Sequence, residues 1–554
     1  MPSFLESLAH GVPQLAVALE AHGNRQWEKA RAAYLQVIDQ PQLTAICFHQ
    51  LGVIAEAQGD LERAAQLIRT AIRLDSGRPI FHQTLGTILE RLGNRAESLD
   101  AMMSFALTLY SAGQMEMAGS AYRRVLEIEP SHYGACINLG ALLVRDDARA
   151  GIPYLVKGIA LCAAREPRVR GLIDALLPML RDARLIGPEI ARTSGVPLAE
   201  VPLLELGVTN LGVALGQLGF VDEAILCHRL AIEIEPGFAD AHFNLSLLLL
   251  ARGEFRAGWR EYEWRWKWKN FGEPRRRFSG AQWRGQDLAG KTILVFTEQG
   301  WGDTIQFAPL IRRLAAAAHI ILEVPPPLLS LFRDNLQQGA VEVVARKDPN
   351  RVDSPRKLDY AVSLMSLAER LDIGLADLPL ATGYVRARDD LKSVWRARIG
   401  ASDAIQVGLV WAGSPTHKND RNRSIALQRL SALFRHEAIT WHSLQVGPQA
   451  GEPTRIGAPL RDHSEDLTDF AATAAAIDCL DLVISVDTAV AHLAAAMGKP
   501  TWILLPAIAD WRWLEHRTDS PWYPSARLFR QPQIGDWDSV VATVSAVVAE
   551  FRKG

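Results

Sequence analysis

Net charge and paired cysteines are the two things this chain of 554 residues most lacks. Lys plus Arg (60) and Asp plus Glu (62) nearly cancel, leaving −2, so no global field favours a nucleic-acid partner. The five cysteines, Cys47, Cys136, Cys162, Cys227 and Cys479, are scattered, with no Cys-x-x-Cys pair and no His/Cys grouping at zinc spacing. They read as reduced core residues of a cytoplasmic protein. Long apolar runs are missing too. Stretches such as Leu247 to Ala251 fall far short of the roughly 20 residues that cross a bilayer, and no membrane span is expected. The opening MPSFLESLAHGVPQ carries Glu6 and no basic start before an apolar run, so a cleaved signal peptide is not expected.

What the chain has is length and repetition. Its size exceeds a single ordinary core and suits a solenoid followed by two compact α/β domains. In the first half, Leu51-Gly52 and Leu85-Gly86 are 34 residues apart, as are Gly59 and Gly93, and Ala30 and Ala64. Leu139-Gly140 and Leu211-Gly212 restart the phrase, and VLEIEP ending at Pro130 returns as AIEIEP ending at Pro236. Small residues let antiparallel helices approach, larger apolar ones fill the space between repeats, and proline stops the second helix. This phrase resembles the tetratricopeptide repeat. Leu211, Gly212, Gly219, Ala224, Ala231 and Pro236 match its pattern, and Tyr34, Ile68 and Tyr122 take the large-residue slot. Ser98 replaces the usual small alanine, and Arg165 to Val201 keeps helical texture without the phrase. Such a solenoid serves either as a spacer or as a concave groove for a peptide or protein partner.

From Phe255 to Arg277 the chain turns aromatic and basic, with Trp259, Tyr262, Trp264, Trp266 and Trp268 among Arg260, Arg265, Lys267, Lys269 and Arg275 to Arg277. Rings beside cations can stack single-stranded nucleic acid. The spacing Trp259, Tyr262, Trp266 instead puts three rings on one helical face, as a helix docking on the next domain requires.

Beyond Lys291 short apolar runs alternate with amphipathic segments, the pattern of parallel α/β units. Strands are expected at Thr292 to Phe296, His319 to Val324, Val341 to Ala345, Tyr360 to Leu364, Ile405 to Trp411, Leu482 to Val486 and Thr501 to Leu505, and a helix from about Thr304 to Ala317. Three loops carry chemistry. In Glu298 to Thr304 (EQGWGDT), Gly300 and Gly302 permit close approach of a ligand to the backbone. Asp303 is either a helix cap or a carboxylate that removes a proton from an acceptor hydroxyl. Val410 to Leu427 gathers Trp411, His417, Lys418, Arg421 and Arg423 after a strand; Trp411, His417 and Lys418 are candidate base or sugar contacts, guanidinium groups suit a departing diphosphate, and a solvated loop is the alternative. Asp481 to Pro506 reads as strand, turn, helix and strand. Asp487, Thr488 and Ala489 open the helix as an anion seat, and His492 lies one turn on, on the face of Thr488.

In this order the three loops resemble bacterial heptosyltransferase-like glycosyltransferases, whose fold is the two-Rossmann-domain GT-B arrangement. Gly302-Asp303 and Asp487-Thr488 with His492, Ala494 and Ala495 carry the likeness. It implies Asp303 as general base and Thr488 and His492 on the nucleotide diphosphate; with no metal expected, Arg421, Arg423 and helix N–H groups are left to neutralise the leaving diphosphate. Repeats followed by such a domain look like bacterial tetratricopeptide glycosyltransferases, including those that modify flagellin, and more distantly the O-linked N-acetylglucosamine transferases. Trp301 and the segment from Asp510 to Gln531 differ from the heptosyltransferase pattern. Trp511 and Trp522 in that segment are read either as stacking a nucleotide base or as interdomain packing. GT-A enzymes hold a divalent cation on an Asp-x-Asp strand end. Here Asp536-Trp537-Asp538 reads as a helix cap, so neither metal nor cofactor is expected.

The expected layout is repeats over 1–164, a degenerate helical segment over 165–204, last repeats and docking helix over 205–278, an acceptor half over 279–400 and a donor half over 401–554. The function it implies is inverting transfer from a nucleotide-sugar to a protein held by the repeats. A lipid-linked or surface polysaccharide acceptor is one rival, and a non-catalytic adaptor is the other.

Overall fold

The computed structural model describes residues 8, 11–162, 167–186, 203–272, 276, 278–314, 317, 319–347, 357–417 and 419–552. The chain falls into two compact units, Met1–Pro236 and Gly237–Gly554.

The described residues of the first unit form helices joined by turns: α1 (Pro13–Gly23), α2 (Trp27–Val37), α3 (Thr44–Ala57), α4 (Leu61–Leu74), α5 (Pro79–Arg91), α6 (Arg95–Ser111), α7 (Met115–Ile128), α8 (Tyr133–Val144), α9 (Ala148–Cys162), α10 (Pro167–Asp182), α11 (Leu204–Gln217) and α12 (Val221–Ile234). The Leu-Gly phrase marks close helix approach. A Cβ on Gly52 would lie 2.6 Å from Ile68, one on Gly140 2.7 Å from Leu155 and one on Gly212 2.8 Å from His228. Tyr34, Ile68 and Tyr122 fill the interior between repeats. Ser98 keeps its buried hydroxyl by donating it to the Gly86 carbonyl at 3.0 Å, which satisfies the polar group where alanine has none. Phrase-bearing α3 and α5 are two helices apart, whereas α5 and α8 are three apart. The additional helix explains the restart out of register at Leu139, and α6 packs on both of its neighbours. Of the degenerate segment, Pro167–Asp182 is helical, and 187–202 lies outside the described residues.

The second unit opens with a helical hairpin, α13 (Ala239–Ala251) and α14 (Phe255–Tyr262), continued by a 3-10 turn over Glu263–Trp266. Two of the three rings expected on one face, Trp259 and Tyr262, dock together. Trp259 Nε1 donates to the Ile373 carbonyl at 3.0 Å, and the Tyr262 hydroxyl accepts from Gln299 at 2.7 Å. Trp266 falls in the tighter turn, which rotates it off that face, and it packs on Phe271 and Phe296.

Two wholly parallel sheets follow. The first contains β1 (Ala281–Gln282), β2 (Thr292–Phe296), β3 (His319–Val324), β4 (Val341–Ala345) and β5 (Tyr360–Ser363), in the order β1-β5-β2-β3-β4. The second contains β6 (Ile405–Val410), β7 (Ile439–Ser443), β8 (Leu460–Asp462), β9 (Leu482–Val486), β10 (Thr501–Leu505) and β11 (Ala526–Arg530), in the order β11-β10-β9-β6-β7-β8. Strand alternation divides the core. Ile293 and Val295 face one cluster and Leu294 the other; in β9, Val483 faces one and Leu482 and Ile484 the other. The chain is thus an all-α tetratricopeptide solenoid followed by an α/β fold of two Rossmann-like halves, the GT-B class.

Among the helices of this unit are α15 (Trp301–Phe307), α16 (Leu329–Leu336), α17 (Ser366–Arg370), α18 (Asp389–Ile399), α19 (Asp420–Arg423), α20 (Glu452–Ile456), α21 (Phe470–Asp478), α22 (Ala489–Ala496) and α23 (Trp537–Glu550). The helix expected from Thr304 to Ala317 begins earlier, at Trp301, and tightens to 3-10 over Ala308–Leu314, where Pro309 removes a backbone donor. Asp536 caps α23 by accepting from the Ser539 N–H at 3.1 Å. No helix among the described residues is long and apolar enough to cross a membrane, and all five cysteines are free.

Candidate functional site

Topology selects the place first. In the second sheet β6 lies between β7 and β9, and the chain builds outward from this pair in both directions. Ligands of open α/β sheets bind in the crevice outside the strand ends at such a switch point. The loops after β6 and β9 are the two motif loops of this half. Arg423 joins them: its Nη1 donates to the Asp487 carbonyl at 2.9 Å while its Nε reaches Asp420 at 3.3 Å. Gly413 is glycine for this reason, since a Cβ there would lie 2.4 Å from the Arg423 guanidinium. Gln445 holds the start of the loop, accepting from the N–H groups of Trp411 at 3.2 Å and Ala412 at 3.0 Å.

After β9, Thr488 is the N-cap of α22. Its hydroxyl is bonded to Ser485 at 2.9 Å, so the cap is held from within the turn. The N–H groups of Ala489 and Val490 open the helix and meet no acceptor among the described residues, as the first turn of a helix leaves them. These are the N–H groups that the sequence reading offers as an anion seat. His492 differs from its expected direct contact with a ligand. It is 4% exposed, stacked on Trp513 with ring centroids 5.2 Å apart and bonded through Nδ1 to the Tyr523 hydroxyl at 3.0 Å. Burial pulls His492 down to about 4, against the charge of Asp487, so the ring is neutral at pH 7. Burial also holds the Tyr523 phenol protonated. With the phenol donating to Nδ1, the ring proton belongs on Nε2, 3.8 Å from Asp487 Oδ1.

The first half reaches the same place through α15. Gln299 adopts the left-handed region at φ 61°, which turns the chain sharply after β2. Gly302 then packs on His492, where a Cβ would lie 2.7 Å from the ring. The glycine expected to admit a ligand serves instead the approach of α15 to α22. Gly300 permits a second contact: its N–H donates to Asp303 Oδ2 at 2.8 Å, the capping role. The other oxygen, Oδ1, is paired with Arg512, a residue the sequence reading passed over. Arg512 Nη1 also holds Asp510 Oδ1 at 2.6 Å, and its guanidinium stacks 4.2 Å over the Trp511 ring. Asp510 keeps a third of its side-chain surface. Burial of its surroundings and then the charge of Asp487 push its carboxyl up to about 7. The site thus assembles Asp303, Asp487, Asp510, Arg423 and Arg512 across both Rossmann halves.

Three aromatic expectations are corrected. Trp411 is fully buried and spends its Nε1 on Glu452 at 2.7 Å. Trp511 and Trp522 are 5% and 3% exposed, packed edge-on with Trp259 and Phe307. Core packing, not a nucleotide base, accounts for them, and the chain after them becomes edge strand β11. His417 and Arg421 are exposed on the loop after β6, and His417 Nδ1 accepts from the Asn419 N–H at 3.2 Å. Lys418 lies outside the described residues. The signal for Arg512 was Asp510-Trp511-Arg512, two opposite charges flanking a ring. Among the described residues no group of three or more His, Cys, Asp or Glu side chains is placed to hold a metal ion.

Comparison with known proteins agrees with this architecture. Residues 467–505, which span α21 to β10 and include Asp487, Thr488, Ala489 and His492, match the glycosyltransferase family 9 (heptosyltransferase) family. Residues 15–79 and 99–132 match tetratricopeptide repeats. Protein FlbA of Caulobacter vibrioides is 25% identical over 581 residues, covering 90% of this chain and 95% of its own. The tetratricopeptide repeat-containing protein trd-1 of Caenorhabditis elegans is 26% identical over 205 residues, 35% of this chain and 25% of its own. A solved glycosyl transferase family 9 protein from Veillonella parvula aligns at 14% identity and TM-score 0.34, over 49% of this chain and 92% of its own.

Proposed function

We propose that this chain, tetratricopeptide repeats followed by a heptosyltransferase-like domain of glycosyltransferase family 9, is an inverting glycosyltransferase that moves a sugar from a nucleotide donor to a protein hydroxyl. The observation that carries the reading is the packing of Gly302 on His492. It sets the Asp303 carboxylate of one Rossmann half beside the helix start at Asp487 and Thr488 of the other.

In this mechanism the donor phosphate meets the free N–H groups of α22, whose dipole favours negative charge. Arg423, fixed on the Asp487 carbonyl, adds a cation that grows in value as the phosphate leaves. The acceptor oxygen attacks the anomeric carbon from the opposite face. Its proton passes to Asp303, the bond from carbon to phosphate oxygen breaks, and the electron pair departs with the nucleotide. His492 acts as a positioning residue, holding Asp487 on one side and Gly302 on the other. The repeats recruit the acceptor, a protein of the flagellin kind by the resemblance of the layout. No cofactor enters the mechanism, and the nucleotide-sugar is substrate.

Calorimetry with a panel of nucleotide-sugars, followed by transfer assays with Asp303→Asn, tests the reading. The variant binds donor at least as well as wild type and loses about 10²–10⁴-fold in turnover, the usual contribution of a general base. Full turnover by Asp303→Asn removes that assignment, and a chain that binds no nucleotide-sugar is an adaptor.

A further inference from the structure

Asp303 has no free oxygen in this structure. Oδ2 accepts from the Gly300 N–H at 2.8 Å, and Oδ1 is paired with Arg512. Each oxygen keeps a second lone pair, but a guanidinium held this close makes the carboxylate a weaker base, so the proposed base gains strength when Arg512 leaves it. Arg512 is built for exchange. Its side chain is 9% exposed, its guanidinium carbon lies 4.2 Å from the centre of the Trp511 ring, and it divides its donors between Asp303 Oδ1 through Nη2 and Asp510 Oδ1 through Nη1. Trp511 and Asp510 can keep the plane in place while the third partner changes. Asp303, Asp487 and Asp510 share two guanidiniums here, so a phosphate that enters competes with them for cations already present. A phosphate offers more charge and a geometry that suits the guanidinium fork.

Resting on the glycosyltransferase reading above, we infer that Arg512 is a shared cation that Asp303 holds while the donor is absent and surrenders to the donor phosphate when it binds. One event then frees Asp303 Oδ1 for the acceptor proton and places a second guanidinium on the leaving nucleotide. Donor binding precedes acceptor activation, and acceptor is not deprotonated in an empty cleft. No atom changes covalent partners in the exchange; an ion pair between protein groups is replaced by one between protein and phosphate.

A double-mutant cycle on the full chain tests this, read by calorimetry with the leaving nucleotides UDP, GDP, ADP, TDP and CMP. Arg512→Gln weakens the nucleotide that wild type binds by roughly tenfold or more, the value of a charge-assisted hydrogen bond. Asp303→Asn, which no longer competes for Arg512, tightens it several-fold. In the double variant that gain vanishes and affinity matches Arg512→Gln. Should Asp303→Asn tighten binding equally in the Arg512→Gln background, the effect is through-space repulsion and the exchange is wrong. Wild-type affinity in Arg512→Gln also overturns it. If Arg512→Gln fails to fold, Arg512→Lys serves in its place, since a point charge cannot hold Asp510 and a phosphate in the forked geometry. A wild-type chain that binds none of the nucleotides overturns the glycosyltransferase reading itself, a result distinct from binding without coupling.

Discussion

Arg423 donates to the carbonyl of Asp487 at 2.9 Å, so a side chain on the loop after β6 fixes the backbone turn after β9. The two loops, 64 residues apart in sequence, lie side by side because β6 and β9 pair, and this bond ties them together. Arg423→Met is expected to weaken nucleotide binding by about tenfold, as loss of a hydrogen bond from a charged group does. Gly413→Ala should do the same without touching the cation, since its Cβ would occupy the place of the guanidinium. Calorimetry on both variants checks this. Normal affinity in Gly413→Ala means that the position of Arg423 is immaterial.

Gly302 and His492 make the corresponding contact between the two halves. His492 is held by Trp513 and Tyr523 and has little room to yield, so Gly302→Ala overpacks the junction. A cost of about 1–3 kcal/mol is expected, read as a shift in the urea midpoint of the second unit. His492→Ala should absorb the added methyl, so the double variant loses less than the sum of the singles. Simple additivity there rules out the contact as the cause.

How far the sequence reaches is visible in these residues. The repeats were legible because a phrase of small residues has one structural use, close helix approach, and Gly52, Gly140 and Gly212 all show it. Strands β2, β3, β4, β9 and β10 were legible as buried apolar runs. Strands β7 and β11 were not, because His442 and Arg527 interrupt the pattern with polar residues that find partners only in three dimensions. The charged loops were found, but their wiring was not. Asp303 and Arg512 are 209 residues apart, and no local period links them. For the aromatic segment from Asp510 the sequence leaves stacking and packing open, because ring count carries no information on burial; Trp511 and Trp522 are buried.

Arg265 is fully buried and paired with Glu298 at 2.7 Å and with Glu263 at 2.7 Å, tying the docking turn to the loop that precedes Asp303. Burial, joined by the charge of Glu263, pushes the Glu298 carboxyl up, and the Arg265 charge opposes it. Arg265→Met leaves a buried carboxylate without its cation and is expected to cost about 3–5 kcal/mol. Arg265→Met with Glu298→Gln removes both charges and should recover much of that loss. Chemical denaturation of the three proteins checks it, and equal instability of single and double variants would show that packing, not charge, is at issue.

His492 and Asp510 should pull stability in opposite directions as pH changes. The folded His492 titrates near 4 instead of its ordinary 6.5, so its contribution is present above pH 6.5 and is lost as pH falls toward 4. At about 1.4 kcal/mol per unit, that loss is on the order of 3 kcal/mol. Asp510 is displaced the other way, from 3.8 to about 7. Its contribution is full below pH 3.8 and disappears as pH rises through 7. Between pH 5 and 7 the two oppose each other in wild type. Replacing Asp510 with Asn should make stability rise more steeply with pH than in wild type, and replacing His492 with Gln should make it rise less steeply. Unfolding free energies measured at pH 5, 6 and 7 for the three proteins decide this. Parallel profiles would mean that neither group carries its displacement in the folded protein, and with it would go the case for Asp510 as a group that changes charge near neutrality beside Arg512.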